Sequence, residues 1–195
     1  MVLKIVTAPN SILSKPAKQV SKIDKNIVKL IGGMKESLAA ARDPIGVGLA
    51  APQIGKSLRI FIVKSTNKSQ PQVFINPKII YISEEKNQEV IQSSKTKKAK
   101  AKSGISENKM LEGCLSLPAI WGEVQRQKEL ILNYEDEKGK PHNRKFTRFI
   151  ATIIQHEIDH LNGILFPKIV LSQKGKLYKS HKNEKNEDVF KEIDI

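Results

Sequence analysis

The stretch Q-H-E-I-D-H-L-N-G at Gln155–Gly163 governs how the rest of the chain is read. His156 and His160 stand four apart, so on an α-helix both imidazoles project from one face. Glu157 projects beside them but offset, where a base acting on a cation-activated water belongs. At average composition this pattern arises by chance in under about 1% of chains of this length. Phe146, Phe149, Ile150, Ile153, Ile154 and Ile158 surround it with apolar surface. They predict a largely buried helix from about 143 to 161, stopped at Asn162-Gly163. Two histidines inside such a helix without a shared ligand would carry a polar-burial cost, so metal ligation is favoured over two structural histidines.

A catalytic metal usually has three protein ligands and one open position. The lone cysteine, Cys114, lies in E-G-C-L-S-L-P and is the favoured third ligand, because a thiolate suits Zn²⁺ or Fe²⁺. Core filler is the alternative. Asp159, His142 and His181 compete for the place, but neither outlying histidine shares a motif with another ligand. Asp159 faces away from the stripe carrying both histidines and suits an anchor for backbone or basic groups. A Cys-His nucleophilic pair would leave the second helical histidine without a role.

Outward from the motif, the composition sets limits. One domain accommodates 195 residues, and 39% hydrophobic content supports a core of Ile, Leu and Val, since aromatics are only 5%. A single cysteine rules out an intrachain disulfide and fits a reducing compartment. No apolar run approaches the roughly eighteen residues of a membrane span, and the start shows no basic-then-apolar signal pattern. A cytoplasmic location without membrane attachment is therefore expected. The formal charge of +14 comes from 34 Lys and Arg against 20 Asp and Glu. It fits either a lysine-rich solvated surface or a partner containing nucleic acid, without sequence-specific readout.

Along the chain, residues 1–9 suggest an edge strand. Ile23, Ile27, Leu30, Met34, Leu38 and Ala41 recur at steps of three and four, predicting an amphipathic helix stopped near Pro44, with Met34 and Leu38 in the core. Residues 46–55 read as a Gly/Ala-rich loop, and 58–63, 73–76 and 129–134 as strands, the last followed by an E-D-E-K-G-K turn. Residues 84–109 should be a flexible Lys-rich surface insertion, with phosphate contact as the rival role; five of positions 95–102 are lysine. The polar tail, 173–195, has no assigned part in the fold. In G-V-G-L-A-A-P-Q, Gly46 and Gly48 permit close backbone approach and Gln53 offers an amide donor, so the segment is either a substrate wall or an ordinary tight loop.

Three stretches, GVGLAAPQ at Gly46–Gln53, EGCLS at Glu112–Ser116 and QHEIDHLNG at Gln155–Gly163, together resemble the peptide deformylases. The resemblance implies an α+β fold with antiparallel strands packed around a central metal-binding helix. It implies removal of the N-terminal formyl group from formyl-methionyl nascent polypeptides by metal-bound hydroxide, releasing formate. Cys114, His156 and His160 would hold one divalent ion, Fe²⁺ physiologically, with Zn²⁺, Ni²⁺ or Co²⁺ accepted. Glu157 would be the general acid/base, and Gln53 with the Leu115 N–H would stabilise the oxyanion. Gly48 would hydrogen-bond the substrate backbone, while Val47 and Ile153 would line the methionine pocket. Glu112 would pair with Arg126 in support of the ligands.

Two features depart from the usual bacterial pattern: the long Lys-rich insertion, and Trp121 where some members carry arginine. Trp121 either walls the downstream cleft or packs as a surface indole. A zinc peptidase acting on internal peptide bonds would need a longer cleft. A non-enzymatic metal-stabilised domain would need four protein ligands and leave Glu157 and Gln53 without roles. Transient ribosome contact through the basic insertion carries its own test. Charge-neutral substitution of Lys95, Lys97, Lys98, Lys100 and Lys102 is expected to weaken ribosome co-sedimentation at low salt. Unchanged binding would assign the tract to solubility alone.

Overall fold

Asp24 accepts from the N–H groups of Asn26 and Ile27 and so starts the first long helix, α1 (Lys25–Ala40), in a computed structural model of the chain. The structure describes residues 1–42, 45–66, 69–87, 111–184 and 186–193. Pro44 and almost all of the Lys-rich insertion lie outside the described residues. Two further helices are described, α2 (Arg148–Leu161) and α3 (Phe166–Ser172).

The α+β class expected from the sequence is the one that forms. β1 (Gly48–Ala50), β2 (Ile60–Val63), β3 (Gln72–Ile82), β6 (Glu129–Glu135) and β7 (Pro141–Thr147) make one sheet in the order β1-β2-β3-β6-β7. β4 (Leu111–Cys114), β5 (Leu117–Glu123), β8 (Leu177–Lys182) and β9 (Asp188–Ile193) make a second, in that order. Every pairing between these strands is antiparallel.

Helices cover both faces of the first sheet. Alternation along β2 sends Phe61 and Val63 toward Ala151, Ile154, Ile158 and Leu161 of α2, with Phe74, Leu130, Leu132 and Phe146 completing that cluster. Ile60 and Ile62 point the other way, to Ile31, Met34 and Leu38 of α1. A strand buried on both faces needs no polar alternation, hence the uninterrupted I-F-I-V. β1 lies at the edge of this sheet, which leaves one side of its backbone unpaired by any described strand.

Four sequence expectations need correction. Residues 143–147 belong to β7, not to the helix, because Phe146 reaches the core from a strand paired with β6 at Leu130. The Gly/Ala-rich loop contains β1 and a 3₁₀ turn at Ala51–Ile54. Residues 1–7 are not paired into a sheet as an edge strand. Within 173–195, β8 and β9 form a hairpin that seats Tyr178 and Phe190 against Leu111 and Trp121. The Trp121 indole donates to Ser180 Oγ at 3.1 Å and meets Phe190 edge-on at 5.7 Å, so it is a packed side chain held by the hairpin.

The aromatic cluster concentrates stability in the first core. Phe74 stacks on Phe61 at 4.6 Å and touches Tyr134 and Phe146 at 4.5 and 5.7 Å between centroids. Phe74→Ala should cost about 3–5 kcal/mol, measured as a lower urea midpoint at unchanged slope.

Candidate metal centre

Helix α2 carries two buried faces. Ile154, Ile158 and Leu161 face the first core, while His156, Glu157 and His160 face the second sheet and β1. β4 delivers Cys114 from that second sheet. One ligand atom from each of Cys114, His156 and His160 lies within 4.8 Å of the other two, with Cys114 Sγ 3.1 Å from His160 Nε2. Donors grouped this closely can share one ion once their side chains adjust to its bond lengths. Among the described residues this group includes neither Asp159, His142 nor His181. His142 is instead paired with Asp136 at 2.8 Å, at the β6–β7 turn.

The surroundings fit a cation. Burial alone would lower the His156 pKa, but neighbouring Cys114 and Glu112 raise it, so the space between these residues favours positive charge. Burial, then the nearby His156 charge, keeps His160 well below its ordinary value, which is the neutral state a ligand requires. Glu112 accepts from Arg126 Nε and Nη2 at 2.7 and 2.9 Å, and its Oε2 lies 3.1 Å from His156 Nδ1. That contact orients the imidazole with Nε2 directed away from Glu112. Burial would push the Glu112 carboxyl up, but the Arg126 guanidinium overrides it and holds it at about 2. Arg126 also donates to Asp159 Oδ2 at 2.6 Å, so the acid of the helical motif anchors a basic group.

The third segment reaches the same place. Gln53, in the 3₁₀ turn after β1, accepts from Ala50 N–H at 2.8 Å. Its Nε2 donates to Ser116 Oγ at 3.3 Å and points at Cys114 Sγ at 3.4 Å. Leu115 is the first residue of the two-residue turn joining β4 to β5, directly after Cys114. Gly48 lies hard against α2: a Cβ there would come within 2.2 Å of Glu157 Oε1 and 2.9 Å of Ile153 Cγ2. Val47 packs half-buried on the same cluster as Ile153. Glu157 Oε2 is buried with no hydrogen-bond partner among the described residues, and burial pushes its carboxyl up to about 7.

Two positioning contacts escaped the sequence. Gln155 Nε2 donates to Gln127 C=O at 2.9 Å while its Oε1 accepts from Gln127 N–H at 3.2 Å, clamping the backbone beside Arg126. Ser116 Oγ accepts from Gln53. Neither spacing nor composition signals them, since both join segments remote in sequence.

With this geometry in view, residues 2–176 match the family described as polypeptide deformylase. The chain belongs to that family. It is 38% identical to the peptide deformylase of Pseudothermotoga lettingae over 174 residues, 89% of this chain and 86% of that protein. The crystal structure of the peptide deformylase from Thermotoga maritima superposes with a TM-score of 0.71 at 33% identity, covering 87% of this chain and 98% of that one. A class I type b peptide deformylase from Acinetobacter baumannii, solved bound to Met-Ala-Ser, gives 0.71 at 29% identity, covering 87% and 99%. This chain is thus an enzyme, a metal-dependent deformylase of the family that acts on formylated nascent peptides. None of its described helices is long and apolar enough to cross a membrane.

Arg126→Met would leave the Glu112 carboxylate buried without its cation. The variant should lose about 3–5 kcal/mol of stability and bind metal roughly 10–100-fold more weakly, read by denaturant titration and chelator competition. A carboxylate held below its unfolded value stabilises fully above that value. This contribution therefore fades as pH falls through about 2.

Proposed function

We propose that this deformylase hydrolyses the formyl amide of N-formylmethionyl polypeptides, releasing formate and a free amine, with Glu157 as general acid/base. The observation that carries the assignment is the buried Glu157 carboxyl, without a partner for Oε2 among the described residues, beside a Cys-His-His donor set and the Gln53 amide.

Cys114, His156 and His160 would hold one divalent ion; two imidazoles and a thiolate accommodate Fe²⁺, Zn²⁺, Ni²⁺ or Co²⁺, and the family resemblance favours Fe²⁺ as the physiological one. When bound, the ion supplies Lewis acidity that polarises the formyl carbonyl and lowers the pKa of water. Glu157, whose carboxyl is poised near neutrality by burial, takes the proton of the attacking water. A C–O bond forms at the formyl carbon and negative charge gathers on its oxygen. Gln53 Nε2 and the Leu115 N–H donate to that oxygen. Glu157 then passes the proton to the departing amine nitrogen as the C–N bond breaks.

Substrate placement follows from the sheet edge. An extended peptide can pair with the open side of β1 at Gly48, where main-chain hydrogen bonds need no particular sequence. Val47 and Ile153 then offer an apolar wall to the methionine side chain. The Met-Ala-Ser bound by the Acinetobacter baumannii relative has the form of such a product. The substrate class places the enzyme in the cytoplasm near translating ribosomes, with transient ribosome contact favoured by the +14 charge.

Anaerobic purification with metal analysis, followed by formate release from formyl-Met peptides, tests the assignment. Glu157→Ala should retain metal while kcat falls about 10²–10⁴-fold. A metal-replete wild type that releases no formate from such peptides would overturn it.

A further inference from the structure

The two proposed oxyanion donors come from different sheets. Gln53 follows β1 of the first, and Leu115 sits in the β4–β5 turn of the second. No strand pairing joins β1 to β4 among the described residues. The side-chain links from Gln53 Nε2 to the second loop are a long 3.3 Å contact with Ser116 Oγ and a 3.4 Å contact with Cys114 Sγ, a weak acceptor. An oxyanion site works only when its donors lie about 2.7–3.1 Å from the developing charge, so the loop separation needs a firmer constraint.

Residues 6–8 provide one. Val6 N–H donates to Gln53 C=O at 2.7 Å, and Ala8 N–H donates to Ser116 C=O at 3.0 Å. One short stretch of main chain therefore holds the residue bearing the amide donor and the residue directly after Leu115. Two residues of extended chain span about 7 Å, and planar peptide units make that span stiff. The strap is held at both ends. Leu3 N–H donates to Ser37 Oγ on α1 at 2.7 Å, and that hydroxyl in turn donates to Gly33 C=O of the helix at 2.8 Å. On the other side Leu13 is fully buried, and Ala17 N–H donates to Leu161 C=O at the end of α2 at 2.8 Å.

We propose that residues 6–8 are a positioning strap that sets the separation of the Gln53 and Leu115 donors, through main-chain bonds from Val6 to Gln53 and from Ala8 to Ser116. This rests on the deformylase mechanism proposed above. Neither strap bond is made to Cys114, His156 or His160, so its effect should fall on transition-state stabilisation and not on metal binding.

The test deletes single N–H groups. Nonsense suppression would install the α-hydroxy-acid analogue of Val6, Ala8 or Thr7, turning one amide into an ester while keeping the side chain. Thr7 is the control because its N–H makes neither contact. In the metal-loaded enzyme, the Val6 and Ala8 esters should each lower kcat on a formyl-Met peptide about 10-fold or more. KM should stay within about 2-fold, metal content should be unchanged, and the Thr7 ester should behave as wild type. Unchanged kcat in both esters would overturn the strap. So would an equal loss in all three, or a loss that tracks metal content, since either marks general loosening. A wild type without formate release would instead remove the underlying mechanism, and the strap's role with it.

Discussion

Helix α2 must bury an apolar face and an ionisable face at the same time, and the architecture follows from that requirement. Ile154, Ile158 and Leu161 are satisfied by the aromatic and aliphatic face of the first sheet. His156, Glu157 and His160 cannot be satisfied that way, because an unpaired polar group in an apolar core costs several kcal/mol. The second sheet supplies their partners instead. Cys114 and Glu112 arrive on one strand, β4, and Arg126 follows after β5 to neutralise Glu112. Arg126 spans Glu112 and Asp159, so one guanidinium links β4 to α2. The buried charges compensate one another locally, and the His156 ring is oriented by the same carboxylate.

Glu157 is the exception in this compensated network. One of its oxygens lacks a described partner, and desolvation outweighs the favourable charges around it. A structural carboxylate would gain from a hydrogen bond here, whereas a proton carrier works best with its pKa near the working pH. Gly48 keeps the space beside it narrow, because any Cβ at that position would run into the carboxylate. The same absence of a side chain lets the β1 backbone approach whatever lies over the site. On the proposed mechanism, access and proton transfer would both depend on this one residue of the edge strand.

The C-terminal hairpin lies beyond the residues matched to the family, yet it completes the sheet that carries Cys114. β8 pairs with β5 at Ile120, Trp121 and Gly122, and Ser180 takes the indole N–H. The indole is therefore consumed by packing within this chain. A tail of mixed charge still yields strands because Tyr178 and Phe190 reach one face of the second sheet while Leu177 reaches the other.

Local chemistry was legible from residues alone. The four-residue spacing of His156 and His160, the offset Glu157, the apolar stripe of α1 and the strand at 58–63 are all short-range patterns, and the α+β class came from the family resemblance. Boundaries at 143–147 were not legible, since Phe146 serves a helical period and a strand face equally well and only pairing with β6 decides between them. Residues 1–9 look like a strand because they are apolar, but sheet membership depends on a neighbour, and no described strand pairs with residues 1–7. Arg126 with Glu112 came from resemblance; its reach to Asp159, the Gln155 clamp on Gln127 and the strap from Val6 and Ala8 came only from the tertiary structure. Such contacts join segments tens of residues apart through main-chain groups that every residue possesses, so no residue type marks them in advance.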